Sequence, residues 1–237
     1  MKALFLEHVP FEKPGAILTW MKKRGFDFEE WKIFERNALP PDSKDFDLLV
    51  VMGGPMNIYE YEKYPWLKEE KKFIEKSIKK EKKVLGICLG AQLIADVFGS
   101  KIYRNRYREI GWFDVTLTPE GRHSPLLKGF PQRFTAFHWH GDTFELPHGS
   151  IHLAKSEACY NQAFTCRNQV VALQFHLETT PELMENLIKY SSEDLDPPDL
   201  YVQTPEEMRK SAKFEELNKL LDLFLTNFLF PEGGEGR

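Results

Sequence analysis

The stretch that decides the fold is Val84-Leu-Gly-Ile-Cys-Leu-Gly-Ala-Gln92. An apolar strand runs into a turn of small residues, and an apolar helix follows at once. Gly86 and Gly90 each stand two positions from Cys88, which is the spacing of a nucleophile elbow with cysteine in place of serine. A tight strand-to-helix turn strains the backbone of its central residue, and glycines on both sides remove the steric conflict. The stretch therefore predicts a reactive cysteine between a strand and a helix.

The chemistry of Cys88 follows from this position. It would lie at the N-terminus of the helix, where the dipole and the free backbone N–H groups favour a thiolate. The N–H of Leu89 would point at a developing oxyanion. A cysteine buried in the core is the alternative, but two flanking glycines would pack a core poorly, so we interpret Cys88 as functional. Cys159 and Cys166 are interpreted as core or spare thiols.

Strand-like and helix-like segments alternate around this stretch, which is typical of βαβ units with right-handed crossovers. Buried strands are predicted at 1–9, 47–52 and 84–88, an edge strand at 28–34, and helices at 16–24, 66–80 and 91–98. Further strands, expected to be antiparallel, are predicted at 110–118, 134–139, 151–154, 162–166 and 170–175, before a helix at 182–190. The fold class predicted is α/β, a three-layer doubly wound sheet, mixed and mostly parallel, with flanking helices.

A domain boundary is expected where serine, acidic residues and prolines interrupt the periodicity, at 191–205. We predict one domain over 1–192 and a C-terminal helical tail over 193–237. The tail has an apolar stripe over 214–228, which favours a helix packed on the same domain. A partner-binding helix is the alternative.

The composition narrows the class of protein. The 237 residues carry a formal net charge of -4, which argues against nucleic acid as the main partner. Three cysteines are too few, and odd in number, for a disulfide scaffold, and they suit a reducing cytosol. No apolar run approaches the roughly 20 residues that cross a bilayer, and the N-terminus shows no cleavable signal. We therefore expect a cytoplasmic protein with no membrane or nucleic-acid partner.

A second chemical segment is Gln174-Phe-His-Leu-Glu178, at the end of an apolar strand. In an extended segment, His176 and Glu178 project from the same face. Glu178 would accept one ring N–H of His176, which fixes the tautomer and leaves the other nitrogen for a thiol. Polar residues past the carboxyl end of a buried strand lie where α/β sites usually form. An isolated pair of this kind would more simply be a surface ion pair.

The third segment is Gly53-Gly54-Pro55, which also follows a buried strand and is expected on the same rim of the sheet as Cys88. Two glycines let the backbone approach a ligand, and their N–H groups can stabilise an oxyanion. A simple turn is the alternative. The segment lacks the Lys-Ser/Thr of a P-loop, and the chain has no G-x-G-x-x-G motif.

Taken in order, Gly-Gly-Pro at 53–55, G-x-C-x-G-x-Q at 86–92 and Q-F-H-x-E at 174–178 resemble the class I (triad) glutamine amidotransferase family. The resemblance covers roughly residues 1–190. Segments 52–59, 64–67, 109–112 and 139–142 resemble stand-alone members that are similar to the amidotransferase half of GMP synthase. The family implies a flavodoxin-like arrangement of the α/β fold, and no cofactor is expected.

The resemblance implies a role for each matching residue. Cys88 would attack the side-chain amide of glutamine to form a γ-glutamyl thioester, His176 would pass the thiol proton to departing ammonia, and Glu178 would orient His176. The N–H groups of Gly54 and Leu89 would form the oxyanion hole. The residues implied in substrate binding are Gly53, Gln92, Trp139, His140 and Asp142, the last as a partner for the ammonium group. The family usually has proline where this chain has Leu177, so a slightly more flexible loop is expected there.

Two other kinds of site have weaker support. His138 and His140 are potential metal ligands, but no C-x-x-C or H-E-x-x-H spacing is present, so no metal site is predicted. Arg104, Arg106 and Arg108 would share one face of a strand. A solvated edge strand is the favoured interpretation there, and a nucleic-acid groove is the least favoured. A surface that binds an anionic acceptor or a partner protein is the middle alternative.

Three functions remain open. The first is a glutaminase that delivers ammonia to a separate synthase subunit, because only 47 residues follow Tyr190 and these are too few for a synthetase domain. The second is a stand-alone hydrolase of γ-glutamyl amides or peptides that uses the same thioester chemistry. The third is a non-enzymatic interaction protein on the same fold, which the intact Cys88, His176 and Glu178 disfavour.

Overall fold

The computed structural model describes residues 1–41 and 44–231, and over these ranges the chain forms one nine-stranded sheet and eight α-helices. The strands are β1 (Lys2–Glu7), β2 (Asp27–Lys32), β3 (Leu48–Val51), β4 (Lys83–Ile87), β5 (Ile102–Leu117), β6 (Arg133–Phe144), β7 (Ile151–Lys155), β8 (Ala163–Cys166) and β9 (Val170–Leu173). The helices are α1 (Ala16–Lys23), α2 (Ile33–Arg36), α3 (Trp66–Lys79), α4 (Leu89–Val97), α5 (Pro119–His123), α6 (Pro181–Tyr190), α7 (Pro205–Ser211) and α8 (Phe214–Leu229). None of the helices in the described ranges has both the length and the apolar character needed to cross a bilayer.

The sheet has the strand order β2-β1-β3-β4-β9-β8-β7-β5-β6. Neighbours from β2 to β9 in this order are parallel, and the remaining strands continue the sheet in antiparallel pairs. This confirms the predicted mixed α/β sheet. Because β9 lies parallel to β4, with Ile87 paired to Leu173, the residues that follow these two strands come side by side.

Two apolar layers cover opposite faces of the sheet, as the three-layer prediction requires. Phe5 and Val50 point into the layer shared with α1, α6 and α8, whereas Leu6 and Val51 point into the layer shared with α3 and α4. Strands buried on both faces need apolar side chains at every position, which explains the continuous apolar runs of β1 and β3.

The β5–β6 hairpin is longer than its apolar pattern indicates. β5 begins at Ile102 rather than at 110, and β6 continues to Phe144, with a register shift between Arg104 and Glu109. The extra residues are mostly polar and carry no apolar signal. In the described part of the chain, β7 pairs with β5 only at Thr116 and Leu117. Residues 102–104 therefore pair with β6 alone, as expected of an edge, and residues 105–108 form the register shift.

The residues after α6 pack back onto the sheet. Leu217 and Phe224 of α8 lie in the same apolar layer as α1, and Trp20 Nε1 donates a hydrogen bond of 2.7 Å to Asp222 Oδ1. A β-bridge joins Val202 to Ile110 of β5. Residues 232–237 of the expected tail lie outside the described residues.

Candidate active site

Four loops meet at the carboxyl edge of the parallel strands. They follow β1, β3, β4 and β9, and they carry His8, Gly53, Cys88 and His176. The strand order places these four strands next to one another, so segments far apart in sequence become neighbours. This edge is where α/β sheets usually bind their ligands.

Cys88 occupies the turn between β4 and α4. Its φ of 52° and ψ of -106° are unusual for a residue with a side chain. A Cβ on Gly90 would lie 2.0 Å from the carbonyl oxygen of Val51, and a Cβ on Gly86 would lie 2.5 Å from the carbonyl oxygen of Gly90. The close packing of α4 on the sheet therefore requires both glycines of the motif.

His176 and Glu178 form a buried pair. A hydrogen bond of 2.6 Å joins His176 Nδ1 to Glu178 Oε1, and the His176 backbone N–H donates to the Phe137 carbonyl at 2.8 Å. Among the described residues, His176 Nε2 has no hydrogen-bond partner, and Cys88 is, with Glu178, one of the two groups that raise the pKa of the ring. One ring nitrogen is thus held by a carboxylate and the other is left for the thiol, which is the arrangement of a general base.

The electrostatics of the pair favour proton transfer through the histidine. Burial by itself lowers the pKa of His176, but the Glu178 carboxylate and the Cys88 thiol outweigh it, and the pKa lies well above its ordinary value. Burial raises the pKa of Cys88, with His176 and the Leu89 N–H acting in the opposite direction. The helix N-terminus alone therefore does not produce the thiolate expected from the sequence, and the thiol needs a base.

Two backbone N–H groups lie beside Cys88. Gly54 and Leu89 both border the pocket above the thiol, and the Leu89 N–H acts on the thiol itself. Among the described residues, no acceptor is hydrogen-bonded to the Gly54 N–H. A Cβ on Gly53 would lie 2.1 Å from the Glu12 carboxylate and 3.5 Å from His176 Cε1, so the loop approaches the site too closely for a side chain.

The pocket above Cys88 has a volume of about 410 Å³ and a polar lining. Gln92 Nε2 lies 3.3 Å from both the Asp142 carbonyl oxygen and Gln174 Oε1. Asp142 Oδ2 accepts a hydrogen bond of 2.9 Å from Asn57 Nδ2. Gln92 and Asp142, two of the predicted substrate contacts, thus lie together at one wall of the pocket.

Trp139 and His140 border the same pocket, but their polar side-chain atoms already have partners. Trp139 Nε1 donates to Asp194 Oδ2 at 2.9 Å, and the Trp139 carbonyl accepts from Cys88 Sγ at 3.5 Å. His140 Nε2 lies 3.1 Å from Glu109 Oε2. These contacts favour a role in shaping the site over direct recognition of a ligand.

Glu109, His138 and His140 form a buried cluster whose possible ligand atoms lie within 4.8 Å of one another. Such residues could hold a metal ion. However, Glu109 Oε2 already accepts hydrogen bonds from His140, Ser156 and Gln162. Burial lowers the pKa of His138 to about 4. The contacts therefore fit a hydrogen-bonded support for the β5–β6 hairpin.

The model of the family "Glutamine amidotransferase class-I" matches residues 16–191. The chain belongs to this family. It is 34% identical over 230 residues to the glutamine amidotransferase-like protein YfeJ of Salmonella typhimurium. The aligned residues make up 95% of this chain and 96% of that protein. A crystal structure of a glutamine amidotransferase from Thermotoga maritima, 33% identical, superposes with a TM-score of 0.86 over 97% of this chain and 98% of that chain. GMP synthase of Caldicellulosiruptor saccharolyticus is 35% identical over 144 residues, which are 60% of this chain and 26% of that enzyme.

In this amidotransferase, Glu12 is a residue of the site that sequence reasoning missed. It follows β1, lines the pocket, and has its carboxylate next to Gly53 and on the His176 side. Burial raises the pKa of Glu12 to about 7, and His176 and His8 act against the rise. The carboxyl group is therefore neutral below about pH 7 and negative above it.

We expect Glu12→Gln to shift the acidic limb of the pH–activity profile to lower pH. Above about pH 7 the Glu12 carboxylate stabilises the imidazolium form of His176, so the base loses its proton at a higher pH. Removal of this charge should lower the apparent pKa in kcat/KM by about one unit. Glu215→Gln, at an exposed position on α8, should leave the limb in place. An unmoved limb in Glu12→Gln would show that the two groups are not coupled.

The segment after α6 forms another wall of the pocket that the sequence did not indicate. Ser191 and Asp194 line the pocket together with Arg108. The Arg108 guanidinium donates to the carbonyl groups of Asp194, Asp196 and Pro197, which fastens the segment to β5. Two of the three arginines predicted on one face of this strand, Arg104 and Arg108, therefore border the pocket.

Leu177 takes the place of the proline that is usual in the family. Its side chain is 2% exposed and lies in the apolar layer on the α1 side of the sheet. Burial of the leucine side chain anchors the loop between His176 and Glu178 by packing, where a proline would do so by fixing φ. The added flexibility expected from the sequence is therefore offset.

Proposed function

We propose that this amidotransferase hydrolyses the side-chain amide of glutamine through a γ-glutamyl thioester on Cys88. The observation that carries the proposal is the buried pair of His176 and Glu178 at the same edge of the sheet as Cys88, with the second ring nitrogen of His176 left without a hydrogen-bond partner among the described residues. Family membership supports amidotransferase chemistry in general.

The proposed reaction has two halves. His176 Nε2 takes the thiol proton while Cys88 Sγ forms a bond to the amide carbon, and the oxyanion is stabilised by the N–H groups of Gly54 and Leu89. Collapse of the adduct breaks the carbon–nitrogen bond, and His176 returns the proton to the departing ammonia. Water, deprotonated by His176, then attacks the thioester carbon. The carbon–sulfur bond breaks, glutamate is released, and His176 returns the proton to Cys88 Sγ.

Gln92 and Asp142 are proposed to hold the amino-acid end of the substrate, with Gly53 close to the reacting group. Trp139 and His140 are proposed to maintain the shape of this wall, since their polar atoms are already hydrogen-bonded. Asp142 remains the proposed partner of the ammonium group, because only one of its carboxylate oxygens has a hydrogen-bond partner among the described residues.

We propose an acceptor on a separate protein for the ammonia. GMP synthase, of which this chain matches about a quarter, is named as glutamine-hydrolysing, which supports glutamine as the source of the ammonia. Residues 1–192 are the proposed amidotransferase domain, and residues 193–237 are the proposed tail packed on it, supported by the contacts of α8 with α1. The three cysteines are free thiols, which supports a location in the reducing cytoplasm.

A stand-alone γ-glutamyl hydrolase is the second candidate, and the size of the pocket favours it. A volume of about 410 Å³ falls in the range of sites that hold drug-sized ligands. γ-Glutamyl amines and peptides therefore belong among the possible substrates, with the thioester chemistry unchanged.

The experiment that tests both candidates is a hydrolysis screen of the purified chain with glutamine, glutathione and γ-glutamyl amines. Release of glutamate from glutamine supports the amidotransferase, and a strong preference for a larger leaving group supports the second candidate. Mass spectrometry after treatment with a glutamine-analogue electrophile should locate one adduct, on Cys88. If the chain hydrolyses none of these compounds and forms no adduct, both candidate functions are wrong.

A further inference from the structure

A fully buried pair of ionisable residues lies next to the Gly53-Gly54 loop and outside the lining of the pocket above Cys88. His8, just after β1, and Glu70 of α3 both have no exposed side-chain surface. His8 Nε2 lies 2.9 Å from Glu70 Oε1, and His8 Nδ1 lies 2.8 Å from the carbonyl oxygen of Gly53. The ring also stacks on Trp66, with the ring centroids 5.5 Å apart.

The hydrogen-bond partners define the state of the ring. A carbonyl oxygen can only accept, so the bond to Gly53 requires a proton on His8 Nδ1. Glu70 balances the charge on the other side. Burial alone lowers the pKa of His8, but the Glu70 carboxylate outweighs it and the pKa is raised. Two buried charged groups are costly to maintain, and neither takes part in the proton transfers of Cys88 and His176.

The geometry of the peptide bond connects this pair to the site. The Gly53 carbonyl and the Gly54 N–H belong to one planar peptide unit, and they point in opposite directions when the unit is trans. Within the described residues, the one cis bond is Asp196-Pro197, so the Gly53-Gly54 unit is trans. A hydrogen bond that holds the carbonyl on the His8 side consequently turns the N–H toward the pocket side, where Cys88 and Leu89 lie.

The orientation of the Gly53-Gly54 peptide must be fixed by a contact with another residue. Neither glycine has a side chain to restrict rotation of the unit, and glycine adopts both signs of φ with little cost. The proposed mechanism requires the Gly54 N–H in one orientation only, and no acceptor among the described residues holds it there. His8 is the group that holds the opposite end.

We propose that His8, held by Glu70, is a positioning residue that fixes the Gly53-Gly54 peptide so that the Gly54 N–H faces the oxyanion. This inference rests on the proposed function, because it assigns a support to the proposed oxyanion hole. It also implies that the hole is formed in the isolated chain, without help from an ammonia acceptor.

The test compares two nearly isosteric variants, His8→Leu and His8→Asn. Leucine removes the donor to Gly53, whereas the asparagine amide can place an N–H close to the position of His8 Nδ1. We expect His8→Leu to lower kcat for glutamine by about 10- to 100-fold with little change in KM, since one oxyanion donor is worth about 10²- to 10³-fold when lost completely. His8→Asn should recover most of the loss.

A ligand experiment separates positioning from a general loss of structure. Glutamate γ-semialdehyde forms a tetrahedral adduct with a thiol and places its oxygen in the oxyanion hole, whereas the product glutamate has a planar γ-carboxylate and forms no such adduct. His8→Leu should weaken inhibition by the semialdehyde by the same factor as kcat and leave glutamate binding within about twofold. Glu70→Gln, which removes the charge but can keep the hydrogen bond to His8, should give an intermediate loss.

The outcomes are distinct. Wild-type kcat in His8→Leu, or equal losses in His8→Leu and His8→Asn, would overturn the inference and leave the proposed function intact. Equal weakening of semialdehyde and glutamate binding would assign His8 to packing and overturn it as well. A wild-type chain that neither hydrolyses a γ-glutamyl compound nor binds the semialdehyde would overturn the proposed function, and the inference with it.

Discussion

Cys88→Ala will reduce glutamine hydrolysis at least about 10⁴-fold, the scale of loss when a nucleophile is removed from a triad that acts as a unit. The residual rate comes from binding and the oxyanion donors, because alanine cannot form the thioester. Cys88 is 6% exposed, and the smaller alanine side chain fits in the same space without a steric clash. We therefore expect the variant to fold. Steady-state release of glutamate and the thermal unfolding midpoint are the two measurements.

The chain offers a matched control in Cys159→Ala. Cys159 is 1% exposed and its thiol contacts Thr143, away from the pocket above Cys88. Burial raises the pKa of Cys159 to about 12, so this thiol is unreactive near neutral pH. Loss of activity in Cys159→Ala equal to that in Cys88→Ala would remove the case for Cys88 as the nucleophile.

Gly90→Ala should damage both folding and catalysis. The new Cβ would lie 2.0 Å from the Val51 carbonyl oxygen, which is a backbone atom of a buried strand and cannot move aside. Either α4 moves away from β3 or the strand distorts, at a cost of about 3 kcal/mol of unfolding free energy. A shift of α4 also displaces Cys88 and Leu89, and a misplacement of about 1 Å is sufficient for a loss of about 100-fold in rate.

Gly99→Ala separates steric conflict from the general cost of replacing a glycine. Gly99 has a φ of 83°, but no atom lies within 4 Å of the position of its Cβ. We expect backbone strain of about 1 kcal/mol and normal kcat. Urea unfolding of both variants gives the two free energies. Equal destabilisation would show that the close approach of α4 to β3 is not what requires Gly90.

The sequence was sufficient to predict that the candidate residues Cys88 and His176 lie at the ends of strands. Cys88 and His176 each follow an apolar run, and parallel strands must present their carboxyl ends at one edge. The two glycines around Cys88 could also be explained from the sequence, because a strand-to-helix turn this tight leaves no room for side chains at these positions. The α/β class is confirmed by the structure, and it could be predicted because the hydrophobic pattern of strands and helices repeats along the chain.

The pocket residues that the sequence did not indicate lie in irregular segments, or reach the pocket through contacts with residues distant in sequence. Glu12 lies in the loop after β1, where no period exists to place its side chain. Arg108 was grouped with a solvated strand, because its three carbonyl partners belong to a turn that only the fold brings near.

One missed residue did carry a readable signal. Residues 66–80 were predicted as an amphipathic helix, and Glu70 looks there like one more surface acid among lysines and glutamates. However, it lies four residues after Trp66 and four before Ile74, on the face that is buried in α3. An acid on the apolar face of a helix indicates a buried partner, which in this chain is His8.

The groups proposed to break the amide bond and one wall of the pocket come from different stretches of chain. Cys88 and His176 follow strands of the central sheet, whereas Ser191 and Asp194 belong to the segment that leads into the tail. Arg108 fastens that segment through backbone carbonyl groups, which any residue type provides. Side chains of the segment other than Asp194, whose carboxylate holds Trp139 Nε1, can therefore change without loss of this fastening, and a change in the preferred leaving group would not require a change in Cys88 or His176.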